Sequence, residues 1–239
     1  MAHISRKELK QDQIRDTMIQ GAEAVYSHQK TMWVVIALAV VVAGAVFGWR
    51  WYSETQTAKA AAALEEGMEI FHARIRAIGE PENPNEKTYV DEMNKWQDAA
   101  TKFTAVADEF SLTHPGRVAR YYAGLSLVRL VKYDEAEAAL QKVESGGDAE
   151  LAALARFQRA AIYEQSGKAD QALALYQQLA EKPTSFVPKP VVLLAMADHY
   201  RKTNPAEAAK LLEQIKAEYP NTPAQEEADK RLELLPPAS

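Results

Sequence analysis

Not one of the 239 residues is cysteine, which excludes disulfides, zinc–thiolate sites and cysteine nucleophiles. The absence suits an oxidising compartment but suits others equally. Histidine is scarce and scattered: His3, His28, His72, His114 and His199 show no H-E-x-x-H spacing and no ligand-interval clustering with acids. Asp198 and His199 are adjacent, so on a helix their side chains point apart. A Gly-rich phosphate loop, a nucleophile elbow and an EF-hand pattern are all missing. Gly146-Gly147 reads as a helix end, not as a loop opening a helix onto a phosphate. The expectation is a non-enzyme without cofactor or metal. Basic runs are missing too. Setting aside the five bases and four acids of residues 1–30 leaves 23 bases and 29 acids, a net charge of −6. That balance argues against nucleic acid as a partner.

One long apolar run stands out. Residues 32–48 carry no charge, and the span extended to its aromatic flanks, residues 33–52, is 20 residues long. As a helix it measures roughly 30 Å, the thickness of a bilayer's hydrocarbon core. Val34, Val35, Ile36, Leu38, Val40, Val41, Val42, Val46 and Phe47 each favour insertion by about 0.3–0.6 kcal/mol near the helix centre. Trp33 at one end and Trp49, Trp51 and Tyr52 at the other form interfacial anchors, with Arg50 placed to snorkel. A cleaved leader fits less well. Its basic region would hold Glu8, Asp12, Asp16 and Glu23, and the nearest small-x-small site, Ala58-Lys59-Ala60, lies too far downstream. Residues 31–52 are therefore expected to be an uncleaved single-pass anchor. Arg6, Lys7, Lys10, Arg15 and Lys30 precede it and only Arg50 and Lys59 follow closely, so the N-terminus is expected in the cytoplasm and the remainder outside. Gly44-x-x-x-Gly48 fits the close-packing motif of membrane helices, making both glycines candidates for a homodimer contact or for contact with another membrane helix.

In the tail, residues 1–30, Ser5-Arg6-Lys7-Glu8 is a capping box with Ile4 and Leu9 placed as a hydrophobic staple. Ile14, Met18, Ala22 and Val25 continue at helical spacing. The expected amphipathic helix suits a cytoplasmic partner, the inner leaflet, or a plain extension of the anchor.

Beyond the anchor the informative signal is periodic. Ala136, Ala172 and Ala208 are 36 residues apart; four positions on stand Leu140, Tyr176 and Leu212, and seven on stand Val143, Leu179 and Ile215. Upstream, Gly124, Ala160 and Ala197 are each followed three residues later by Leu127, Tyr163 or Tyr200. A small residue lets the first helix of a pair approach closely, and the bulky one a turn later fills the gap. These positions match the tetratricopeptide pattern over 117–150, 153–186 and 190–222, the last ending Tyr219-Pro220. Ala99, Phe103 and Val106 repeat the second-helix spacing in a weaker pair, about 58–115. Its first helix is expected over 58–77, with Gly67 and Ile70 as small and bulky positions, and a loop insertion containing Pro81 and Pro84 over 79–89. Residues 183–190, with three prolines, read as an extended link, and 223–235 as a polar capping helix. The predicted class is all-α: one N-terminal transmembrane helix, then a tetratricopeptide-like α-solenoid of three to four helix pairs over residues 53–235.

Such a solenoid binds along its concave face, lined by the first helix of each pair. In this register the face includes Val118, Tyr121, Leu125, Phe157 and Ala161. It is apolar, unlike the Lys/Asn carboxylate clamp of the chaperone-tail-binding version of this fold. An apolar groove suits an extended or helical protein segment. The same side chains also suit packing against the neighbouring repeat or the loop over 79–90.

The layout as a whole resembles a known family. A short polar tail, an anchor ending Phe47-Gly48-Trp49-Arg50-Trp51-Tyr52, an alanine-rich helix from Ala58 and degenerate tetratricopeptide repeats look like the bacterial ancillary SecYEG translocon subunit family, whose repeat domain is shared with the cell-division coordinator family. The resemblance implies a bacterial inner-membrane protein with a periplasmic repeat domain, associated with the SecYEG channel and a membrane-anchored periplasmic chaperone and assisting exported clients. It implies no catalytic residues. The competing reading is an envelope adaptor coordinating cell division or the assembly of a membrane protein complex.

Overall fold

The computed structural model describes residues 29–77, 79–81, 83 and 86–235. The expected tail helix, with its capping box at Ser5–Glu8, lies outside the described residues, as does Pro84. The described elements are nine helices and two very short strands: α1 (Gln29–His72), β1 (Arg74–Ile75), β2 (Thr88–Tyr89), α2 (Glu92–Glu109), α3 (His114–Arg129), α4 (Tyr133–Glu144), α5 (Ala149–Gln165), α6 (Ala169–Glu181), α7 (Lys189–Tyr200), α8 (Pro205–Glu218) and α9 (Pro223–Glu233). The chain divides into two compact units after Thr55.

In the first unit, α1 is apolar and its side chains over residues 33–52 are exposed, Phe47 to 76%. This helix is long and apolar enough to cross a membrane. Between Tyr52 and Ala58 no glycine or proline interrupts it, which explains why a single helix covers what reads as an anchor plus a separate repeat helix.

The second unit is a run of antiparallel helix pairs whose ends are written locally. Asp91, Thr113, Asp148, Asn204 and Thr222 cap α2, α3, α5, α8 and α9 by accepting backbone N–H groups of the first turn. Helices α4 and α6 start without such a cap. The tight turns before them do the same work. Val131 has φ +60° and Gly167 φ +73°; Lys132 N–H donates to Leu127 O at 3.0 Å and Lys168 N–H to Tyr163 O at 2.8 Å. Both are Schellman closures, 36 residues apart like the alanines. The third turn, one residue shorter, is closed instead by Asn204 N–H on Tyr200 O at 2.8 Å.

Four apolar clusters hold the stack, each joining consecutive helices. The first joins the end of α1 to α2 and α3 through Ile70, Trp96, Phe103 and Ala119. The second joins α3, α4 and α5 through Tyr121, Leu140 and Ile162; the third α5, α6 and α7 through Ala160, Tyr176 and Val192; the fourth α7, α8 and α9 through Leu193, Leu212 and Ala228. Every repeat position named for the second helices is buried: Ala136, Ala172, Ala208, Leu140, Tyr176, Leu212, Val143, Leu179 and Ile215. Each large side chain removed from water contributes about 1.5–3 kcal/mol, so these clusters carry the fold.

Two segments differ from expectation. The helix expected to reach residue 77 ends at His72, and the segment beyond forms a parallel pair, Arg74 beside Thr88 and Ile75 beside Tyr89. Lys95 Nζ donates to Ala73 O at 2.6 Å and Tyr89 OH to Asp98 at 2.9 Å, pinning the pair to α2. Residues 183–190 do not run extended throughout. Thr184 N–H donates to Val187 O and Val187 N–H to Thr184 Oγ1, both at 3.1 Å, making a turn.

Candidate protein-interaction surfaces

Four of the five residues expected on the concave face are divided between two inter-helix cores. Tyr121, only 8% exposed, is buried in the α3–α4–α5 cluster, and burial pushes its hydroxyl above the usual tyrosine range. Val118 and Leu125 are half-buried and pack on that same cluster. Phe157 packs in the next cluster, its ring centroid 5.7 Å from that of Tyr176. Ala161 is half-buried on α5. Tyr121 is therefore committed to the joint between two helix pairs, while the other four keep part of their surface open.

A charged cluster lies beside them. Arg159 on α5 donates Nη1 to Glu144 at 2.8 Å, and Nη2 to Glu137 at 3.3 Å and to Tyr163 OH at 3.0 Å. Arg156 Nε donates to the other Glu144 oxygen at 3.2 Å, and Tyr163 OH donates to Glu137. The cluster ties α4 to α5 with charge-assisted bonds at partly buried positions, where they count for more than surface pairs. Nothing in the residue spacing announces it, because its members meet across two helices.

Two open clefts follow the helix pairs. The first, about 650 Å³, has walls of Ala100, Thr104 and Ala105 from α2 and Ala138 and Ala139 from α4, over a floor that includes Ala123 of α3. The second, about 790 Å³, lies along α6 and α7. There His199 Nδ1 is 2.5 Å from Glu164, while neighbouring Asp198 receives Arg231 Nε at 3.1 Å. The two side chains thus serve different helices, as adjacency on a helix requires. Burial pushes the Tyr176 hydroxyl up to about 12, with Glu164 and Asp198 adding to the effect. Among the described residues no group of three or more His, Asp or Glu side chains is arranged to hold a metal ion.

On the apolar helix, Trp33, Trp49, Trp51 and Tyr52 are exposed, and Arg50 sits 3.9 Å from Glu54 one turn on. A methyl group added at Gly44 or Gly48 would meet nothing within 4 Å. Their spacing puts both on one helix face.

Residues 28–189 match the tetratricopeptide repeat-like domain family, and residues 192–222 match a tetratricopeptide repeat. The chain belongs to the tetratricopeptide repeat-like domain family. The matched span opens before the apolar helix, so this member carries helix and first repeats within one family unit. Tetratricopeptide repeats are protein-interaction modules, and this tetratricopeptide repeat-like protein is a protein-binding scaffold with polypeptide partners. No curated protein and no solved structure matches the chain.

Proposed function

We propose that this protein is a single-pass inner-membrane scaffold, with its N-terminus cytoplasmic and residues 53–235 in the periplasm, serving as an ancillary subunit of the SecYEG channel. In this reading it passes emerging exported proteins to a periplasmic chaperone and performs no chemistry. The observation that carries it is the exposed apolar face of residues 33–52 in a chain whose other helices form a repeat stack. Apolar surface of that extent calls for a lipid environment or a partner. The partly open side chains of Val118, Leu125, Phe157 and Ala161 give an apolar strip for an extended or helical client segment. The anchor's Gly44 and Gly48 face gives a contact for a second copy or another membrane helix.

Photo-crosslinking in cells from Trp51 and Leu125, followed by mass spectrometry, tests the reading. Channel subunits from Trp51 and exported proteins from Leu125 support it. Division proteins at both positions would replace it with the envelope-adaptor role. Alkaline carbonate should leave the protein in the membrane, and protease added to spheroplasts should digest residues 53–235. Release by carbonate would remove the anchor, and protection of the repeats would reverse the orientation. Gly44→Leu should reduce any crosslinked dimer formed through the anchor.

A further inference from the structure

Helices α5 and α7, the first helices of two consecutive pairs, are tied together at both ends, and the two ties differ in kind. At the N-terminal end the Glu150 carboxylate of α5 accepts the N–H of Ser185 at 3.2 Å and of Phe186 at 2.9 Å, just ahead of α7. Hydrogen bonds from the Phe186 backbone and the Thr184 hydroxyl hold the Glu150 carboxyl below the usual carboxylate range. Backbone amides have no charge to lose near neutral pH, and Val187 and Val192, 2% and 0% exposed, seal the same end with apolar packing. This end stays fixed wherever Glu150 is ionised.

At the C-terminal end the tie is one side-chain pair. Glu164 of α5 meets Nδ1 of His199 on α7 at 2.5 Å, 35 positions along the chain. The His199 side chain is 10% exposed and that of Glu164 32%. The pair stands at the open cleft of about 790 Å³, whose lining here is polar. Asp170 and Tyr176 face the cleft from α6; Asp198, Tyr200, Arg201 and Lys202 face it from α7 and the turn beyond. Asp198 is answered by Arg231 of α9, and Arg201 and Lys202 are exposed at the rim. Glu164 is therefore the carboxylate that answers the ring. A protonated imidazole donates to a carboxylate in a charge-assisted bond, roughly twice as strong as the neutral one.

We infer that the joint between the second and third helix pairs is a proton-operated hinge, with the Glu150 end as its pivot and the His199–Glu164 contact as its latch. Acid fastens the C-terminal end of α7 to α5, and loss of the imidazole proton loosens it and opens the cleft. The sign follows from linkage. A histidine whose proton is held more tightly in the closed joint stabilises that joint below its unfolded value and loses the contribution as pH rises through its folded one. The other pair of this kind, His114 Nδ1 with Asp148 at 3.1 Å, joins α3 to α5, but its histidine side chain is 60% exposed. Solvent screens such a pair, which makes it the internal control. The hinge stands independently of the translocon reading.

The test uses the full-length protein in lipid nanodiscs with isotope-labelled histidine. NMR titration of the wild type should show His199 holding its proton to higher pH than His114, a comparison that needs no variant to fold. Glu164→Gln should weaken the hold of His199 on its proton by about tenfold or more, the effect of removing one contacting carboxylate. Thermal midpoints of wild type and His199→Gln should differ more at about pH 5.5 than at about pH 8, on either side of the ordinary histidine range. His114→Gln should show the same small difference at both. Hydrogen exchange, corrected for the intrinsic effect of pH, should quicken in α7 at the higher pH and stay level in α2 and α3. The inference is overturned if His199 releases its proton no later than His114, or if Glu164→Gln leaves the titration in place. It is also overturned if His199→Gln lowers the midpoint equally at both pH values, or if exchange in α7 ignores pH.

Discussion

Gly67 and Phe103 are in direct apposition: a Cβ built on Gly67 would lie 2.5 Å from Cε1 of Phe103 and 2.8 Å from Cδ1. Phe103 cannot retreat, because it is fully buried, stacked on Tyr122 at 5.4 Å and edge-on to Phe71 at 6.1 Å. Gly67→Ala should therefore destabilise the repeat domain although alanine is the better helix former. Overpacking costs about 1–3 kcal/mol and propensity returns about 1 kcal/mol, leaving a net loss of up to about 2 kcal/mol. Chemical denaturation of the two proteins measures it. Gly124→Ala, which faces Cγ of the fully buried Leu140 at 2.8 Å, should destabilise for the same reason.

Val131 is held at φ +60° with its side chain 67% exposed. A β-branched residue in the left-handed region is strained by about 1–3 kcal/mol, and here no core contact compensates. Val131→Gly should raise stability by about 1 kcal/mol after the extra chain entropy of glycine is counted. The converse change, Gly167→Val at φ +73°, should lower it. Paired melting curves decide the point.

Arg159, with a side chain 12% exposed, bonds Glu144, Glu137 and Tyr163 at once. Arg159→Ala should destabilise by about 2–4 kcal/mol, because it leaves half-buried Glu137 without a cation and Glu144 with Arg156 alone. Tyr163→Phe removes one donor and should cost about 1 kcal/mol. A double-mutant cycle at low and high salt should show coupling that salt reduces only slightly.

Glu80 is held down to about 2 from an ordinary 4.5, first by its hydrogen bond with Arg74 and next by the Ala77 N–H. A carboxylate depressed in the folded state contributes fully above its unfolded value and loses that contribution as pH falls through its folded one. The Arg74–Glu80 pair, 2.7 Å apart, should stay closed at pH 4 and open near pH 2. Carbon-detected NMR titration of Glu80 tests this, and Arg74→Ala should return its midpoint toward 4.5.

The repeat register was legible because it rests on volume. Ala136, Ala172 and Ala208 recur at fully buried positions where close-packed helices leave little room for a larger side chain. The long apolar helix was legible because an uncharged run of that length admits few alternatives. Gly67 and Ile70 were also readable as the small and bulky positions of the weakest pair, and both are buried. The features that residue spacing does not reveal depend on contacts between residues distant in the chain. Glu150 reaches Ser185 and Phe186 across 35 and 36 positions; Arg159 gathers carboxylates from the preceding helix; and the strand pair joins Arg74 to Thr88 over a loop that reads as featureless. Val131 looks like an ordinary apolar residue until its φ is known. Tyr121 shows the same gap from the other side: register placed it on the first-helix face, and packing with its neighbours took it into the core.

Because each apolar cluster spans only consecutive helices, no distant partner is needed to complete any of them. Duplicating or deleting a 36-residue unit between equivalent turns would leave the joints away from the cut intact and require one new joint at the cut itself. The short sequence separation of these joints also lets the chain lock up progressively as it leaves the ribosome or a membrane pore.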